Sequence, residues 1–138
     1  PDYGLAEIGP ETSIKVHLTG FFRRLCHARA SDPETRGCLA VNCFTEMSPD
    51  DVDQNPFLKQ VFRAKIERLK GIIETGKARG ELAADMDPEI IALALNNLIL
   101  GLNILSKVET SEAKLWAMVQ ATLQGLGLFG DGVPDTLN

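Results

Sequence analysis

Residues 90–105 read IIALALNNLILGLNIL, and only Asn96, Asn97, Gly101 and Asn103 interrupt the apolar run. A helix apolar nearly all round needs cover on every side, and a chain of 138 residues has little room to bury one completely. A membrane span would supply that cover. It fits poorly, because the run is 16 residues long with three Asn inside it and acidic, polar flanks, and a crossing takes about 18–20 apolar residues. The remaining solution is a helix with one face packed into its own protomer and the other against a second chain.

Working outward, helix-start chemistry recurs on both sides of this run. Asp87-Pro88-Glu89 opens it, Ser48-Pro49-Asp50-Asp51 and Asn55-Pro56 open two earlier segments, and each joins a capping side chain to a proline at the first helical position. From Asn55, the residues Leu58, Val61, Phe62, Ile66, Leu69, Ile72 and Ile73 fall on one face of a long helix that Gly80 is placed to end as a left-handed cap. Before it, Ile14, Leu18, Phe21, Phe22 and Leu25 repeat at helical spacing until Ser31-Asp32-Pro33, since a residue preceding proline is pushed out of the α region. Between these two lies the apolar stretch from Gly37 to Met47, read as a short, largely buried helix. After residue 105, Leu115, Val119, Leu123 and Leu126 make the stripe of a last helix from about 112 to 128, which Trp116, Met118 and Ala121 widen. No window alternates with period two, so the fold class is all-α, a bundle of about five to six helices.

Charge and composition narrow the function classes. The 14 Lys and Arg against 19 Asp and Glu leave a net charge of −5, which excludes nonspecific phosphate binding by this chain itself. Three cysteines at irregular spacing read as reduced thiols and place the chain in the cytoplasm. The start has neither a signal peptide nor an initiator Met, so position 1 reads as internal to a longer protein. Residues 1–10 are expected to be a leader or linker remnant, 11–129 the domain, and 130–138 a flexible tail.

Few side chains could carry chemistry. His17, Cys26 and His27 share the first helix, but at about 100° per residue His17 and Cys26 project to opposite sides, and Cys38 with Cys43 is no better spaced for a metal. No nucleophile has a base at a suggestive spacing, so neither an enzyme nor a metal or cofactor site is expected. Glu46, in an otherwise apolar helix, must reach solvent, a partner or a ligand cation. Cys38 follows Gly37 at a helix start, where the thiol is either activated or simply a small buried apolar group.

The run Gly37-Cys38-Leu39-Ala40-Val41-Asn42-Cys43-Phe44-Thr45-Glu46 resembles the opening of the short central helix in TetR/AcrR-type bacterial transcription regulators. Ala78-Arg79-Gly80-Glu81-Leu82, Asp87-Pro88-Glu89 and Leu100-Gly101-Leu102 continue the likeness, over roughly residues 10 to 128. The resemblance implies an all-helical effector-binding and dimerisation domain whose last two helices form a four-helix bundle with their twofold mates. The interface would use Ile91, Leu95, Leu102, Leu115, Val119, Leu123 and Leu126. Such regulators begin with a basic helix-turn-helix that nothing before Glu11 resembles, so DNA recognition would belong to the parent protein alone.

The resemblance also implies a pocket among the first four helices, lined by His17, Phe21, Leu25, Val41, Asn42, Phe62, Ile66, Leu69, Asn97 and Leu98, for a small lipophilic or aromatic effector. It implies a second mode as well. One branch of the family senses electrophiles and oxidants through the cysteine of the Gly-Cys-Leu run with a lysine nearby, and Cys38 and Lys107 occupy those places. A ligand-free helical interaction module is the third reading.

Overall fold

The computed structural model describes residues 3–5, 8–32, 34 and 37–134; Pro33, the first two residues of the leader and residues 135–138 of the tail lie outside the described residues. Six helices and no strand are present among them: α1 (Ile14–Ala30), α2 (Leu39–Thr45), α3 (Pro49–Asp53), α4 (Pro56–Ala78), α5 (Pro88–Leu105) and α6 (Glu112–Gly125). The start signals act as the sequence suggests. Asn55, Asp87 and Ser111 each accept a backbone N–H of the first turn, and Ser48 forms a reciprocal capping box with Asp51.

α1 is the axis of the bundle. It packs along α6 and touches both α4 and α5, while α4 and α5 make the most extensive pairing in the molecule. Ile14, Leu18, Phe21, Phe22 and Leu25 of α1 meet Leu69, Ile72 and Ile73 of α4, Ala92, Leu95, Leu98, Ile99 and Leu102 of α5, and Leu115, Trp116, Val119 and Leu123 of α6 in one continuous core. Each such side chain contributes about 1.5–3 kcal/mol on leaving water. Arg23 is buried within this core, its guanidinium 5.3 Å from the Trp116 ring and 3.5 Å from Glu112, whose carboxylate also meets His27 Nδ1 at 2.7 Å. Arg23 and His27 of α1 thus tie to Glu112 of α6 and fix the register of that pair.

Short turns close the bundle. Gly80, at φ +72°, ends α4 as the sequence predicts, and the Glu81 and Leu82 amides both bond back to the Gly76 carbonyl. This reversal drops Leu82 into the core and delivers the Glu81 carboxylate to the start of α1. There it accepts the Ser13 hydroxyl and the amides of Ile14 (2.8 Å) and Lys15 (3.1 Å).

Among the described residues, segments near both ends of the chain pack against α1. Leu5 is fully buried, and His17 Nε2 lies 3.0 Å from the Leu5 carbonyl. α6 stops at Gly125 and not near residue 128, because Gly127 turns at φ +72° and sends the buried Leu128 inward. Gly130 then donates to Thr19 Oγ1 at 2.8 Å, and Arg23 Nε reaches the Pro134 carbonyl at 3.3 Å. Residues 130–134, expected to be loose, therefore lie along α1.

Two helices are less buried than expected. α2 buries only Val41, leaves Leu39 79% exposed and ends at the solvent-exposed Glu46. α5 runs the 18 residues from Pro88 to Leu105, long and apolar enough by composition to cross a membrane, so the length objection fails. Its pairing with α4 and the burial of Ala92, Leu95, Ile99 and Leu102 account for it as a core helix, whose opposite edge stays uncovered: Ile90 is 59%, Leu93 47% and Ile104 46% exposed.

Candidate functional site

The N-terminal half of α4 does not continue the core. Phe44 of α2 packs against Phe62 of α4 with centroids 3.9 Å apart and rings tilted by 50°, and a cavity of about 410 Å³ lies between these helices, α5 and α1. Phe21 and Leu25 come from α1, Cys38, Ala40 and Val41 from α2 and its entry, Val61 and Phe62 from α4, and Ile99 and Leu100 from α5. The size and apolar walls suit a small organic ligand.

Polar groups enter at a few points. Among the described residues, Arg29, Lys65, Asn96 and Asn103 line the cavity with Tyr3, and no carboxylate does. Arg29 Nη2 donates to the Tyr3 hydroxyl at 2.8 Å, whereas its Nε and Nη1 are buried with no hydrogen-bond partner. Asn103 Nδ2 donates to the Ile99 carbonyl one turn back at 2.8 Å, while its Oδ1 is buried and also unpartnered. Tyr3, Arg29, Gly37 and Leu39 border a second, more open groove as well, with Asn42 and Lys107 in its wall. Lys107 Nζ donates to Asn42 Oδ1 at 2.7 Å. Gly37, at φ +69°, passes so close to α5 that a Cβ there would lie 3.0 Å from the Asn103 carbonyl oxygen, so a side chain would be strained in both conformation and space.

Residues 16–125 match the family model described as "Tetracyclin repressor-like, C-terminal domain". The chain belongs to that family. Two solved structures of the TetR family transcriptional regulator CifR, both cysteine mutants complexed with 26-bp double-strand operator DNA, share the fold of this TetR-type domain, each with a TM-score of 0.70. Their identities are 26% and 25%, over 84% of this chain and 60% and 59% of theirs, so the chain spans about 60% of the length of those relatives. No curated protein matches it. The family is one of transcription regulators and not of enzymes.

Within this TetR-type domain the expected pocket residues divide. Phe21, Leu25, Val41 and Phe62 line the cavity, and Cys38 stands in its wall. Asn42 faces the adjoining groove. His17 is turned away and fastens the leader through Leu5, Leu69 and Leu98 are core, and Ile66 packs against that core. Asn97 is exposed; a rotation of one residue puts its neighbour Asn96 into the cavity instead. Among the lining residues missed are Arg29 and Asn103, which sit where a periodicity reading shows only helix ends and polar interruptions.

The expected interface residues need a larger correction. Leu95, Leu102, Leu115, Val119 and Leu123 have no exposed surface, being part of the protomer's own core, and a side chain without surface cannot meet a second chain. Ile91 and Leu126 are half-buried. What α5 presents outward is Ile90, Leu93, Ile104 and Leu105, and what α6 presents is small: Ala113, Ala117, Ala121 and Gly125. Among the described residues no group of three or more His, Cys, Asp or Glu gathers to hold a metal.

The cysteines differ by environment. Burial, offset only in part by the charge of Arg23, pushes the Cys26 thiol up to about 12. Cys38 and Cys43 are free and half-buried.

Proposed function

We propose that this domain is the ligand-sensing and dimerising part of a transcriptional repressor, and that a small lipophilic or aromatic effector entering the cavity between α1, α2, α4 and α5 modulates DNA binding by a helix-turn-helix elsewhere in the parent protein. The observation that carries this reading is the cavity itself. An apolar void of about 410 Å³ bordered by buried polar groups forgoes packing that a solid core would keep, and such a loss persists where the space is used. DNA-bound CifR supports operator binding by the parent protein through family likeness. The effector would act by preferring one of two arrangements of the parent dimer, a coupling between distinct sites. Like other regulators working directly on DNA, the parent would act in the cytoplasm.

The test fills the space. A panel of lipophilic and aromatic compounds is expected to raise the melting temperature of the native chain, and Val41→Trp, which places an indole in the void, is expected to abolish the shift. Compounds that stabilise both proteins equally would bind elsewhere and sink the reading.

One observation favours a second mode. Cys38 stands in the cavity wall, and Lys107, which grips Asn42, has its Cε beside Gly37. An electrophile caught in the cavity would be attacked by the Cys38 sulfur, giving a thioether, with the leaving group and the thiol proton released to solvent. Faster labelling of Cys38 than of Cys43 by an alkyl halide, read by mass spectrometry, is the expected result; equal labelling would count against it.

A further inference from the structure

We infer that the effector is an amphipathic carboxylic acid carrying a hydroxyl, its carboxylate held by Arg29 and its apolar body lying along Phe21, Leu25, Phe62 and Ile99. This rests on the cavity being the effector site and goes further by naming the ligand's chemistry.

Three observations lead there. The first is the pair of buried, unpartnered nitrogens on Arg29. A guanidinium is charged at all pH values of interest and forms charge-assisted hydrogen bonds to a carboxylate, so idle buried N–H groups on it are costly until an acceptor arrives. The Tyr3 hydroxyl takes Nη2, and because Nε and Nη1 lie on opposite edges of the guanidinium, the carboxylate would be held through one of these two. The second is the lining among the described residues: Arg29 borders the cavity and no described Asp or Glu does, so the charge at that point favours an anion. The third is Asn103, 4% exposed, whose Nδ2 is taken by Ile99 and whose Oδ1 is not. An amide oxygen wants a donor, which a carboxylate lacks and a hydroxyl supplies. Arg29 stands where the cavity meets the open groove, which puts the charged head at the mouth and the apolar body inside.

Two matched series test this by calorimetry on the 138-residue chain: decanoate, decanol, methyl decanoate and beta-hydroxydecanoate, and phenylbutyrate with its alcohol and methyl ester. The acids are expected to bind about tenfold or more tightly than their alcohols and esters, as a charge-assisted hydrogen bond requires, and the hydroxy acid more tightly than decanoate. In Arg29→Gln the acid-to-alcohol ratio is expected to fall to about one, with partial recovery in Arg29→Lys. Alcohols binding as well as acids, or an acid preference surviving Arg29→Gln, would overturn the proposal while leaving the cavity as the effector site. Binding by no member of either series would overturn both. Should Arg29→Gln fail to fold, the comparison within the native chain decides alone.

Discussion

Glu81 lies 67 residues from Ile14 in sequence yet closes the start of α1, receiving the Ser13 hydroxyl and the Ile14 and Lys15 amides. Burial alone would raise its pKa, but those hydrogen bonds and the charge of Lys15 outweigh burial and hold the carboxyl below the usual glutamate range. A carboxylate whose pKa is lower in the folded state stabilises at any pH above its unfolded value, and that stability drains away as pH falls through the folded value. Glu81→Gln is therefore expected to cost about 0.5–1 kcal/mol near neutral pH, the worth of an anion at a helix start. The gap to the native chain should close in urea titrations taken below about pH 4; a gap unchanged with pH would mean that Glu81 acts by shape alone. A second consequence at this scale concerns thiols. Cys26 is fully buried with its pKa pushed up to about 12, so iodoacetamide at neutral pH should modify Cys38 and Cys43 in the folded chain and reach Cys26 only after denaturation.

At the scale of elements, glycines decide how helices end and what can pass beside them. Gly130 crosses α1 so closely that a Cβ would lie 2.4 Å from the Val16 nitrogen and 2.5 Å from the Lys15 carbonyl carbon, both backbone atoms that cannot swing aside. Gly130→Ala should therefore pry residues 128–134 from α1 and cost about 1–3 kcal/mol in chemical denaturation; a neutral substitution would show the segment already detached. Such contacts explain what the sequence could and could not reveal. Helices were legible because their starts are local: Ser48, Asn55 and Asp87 cap amides three residues away or fewer. Periodicity identifies an apolar face but not what lies across from it. The face of α4 looks uniform from Val61 to Ile73, yet Leu69, Ile72 and Ile73 meet the core while Val61 and Phe62 meet a void. Asn96 and Asn97 are alike as letters, and only the packing of α5 on α4 decides which faces inward. Arg29 could be recognised only from the company it keeps, since nothing in its neighbours along the chain marks it as short of acceptors.

For the whole molecule, the decisive question is what covers α5. Its inner face is satisfied by the protomer, and Ile90, Leu93, Ile104 and Leu105 form an outer stripe with Asn97 and the small Gly101 between them. α6 adds Ala117 and Ala121 on its own outer surface, where the absence of bulk lets another helix approach closely. A second copy of the chain meeting this stripe is the dimer we propose, and it separates two kinds of substitution that sequence alone would treat alike. Leu93→Asp puts a charge on the outer stripe. It should leave helicity and folding largely intact and weaken association by about 2 kcal/mol, some 30-fold in dissociation constant, because the carboxylate loses water without gaining a partner. Leu123→Asp puts the same charge in the protomer core and should unfold the chain at a cost of about 3 kcal/mol or more. Light scattering with circular dichroism at micromolar concentration distinguishes the outcomes: a folded monomer for Leu93→Asp and a disordered chain for Leu123→Asp are expected. A Leu93→Asp protein that remains dimeric would place the contact on another surface and leave the outer edge of α5 without its cover.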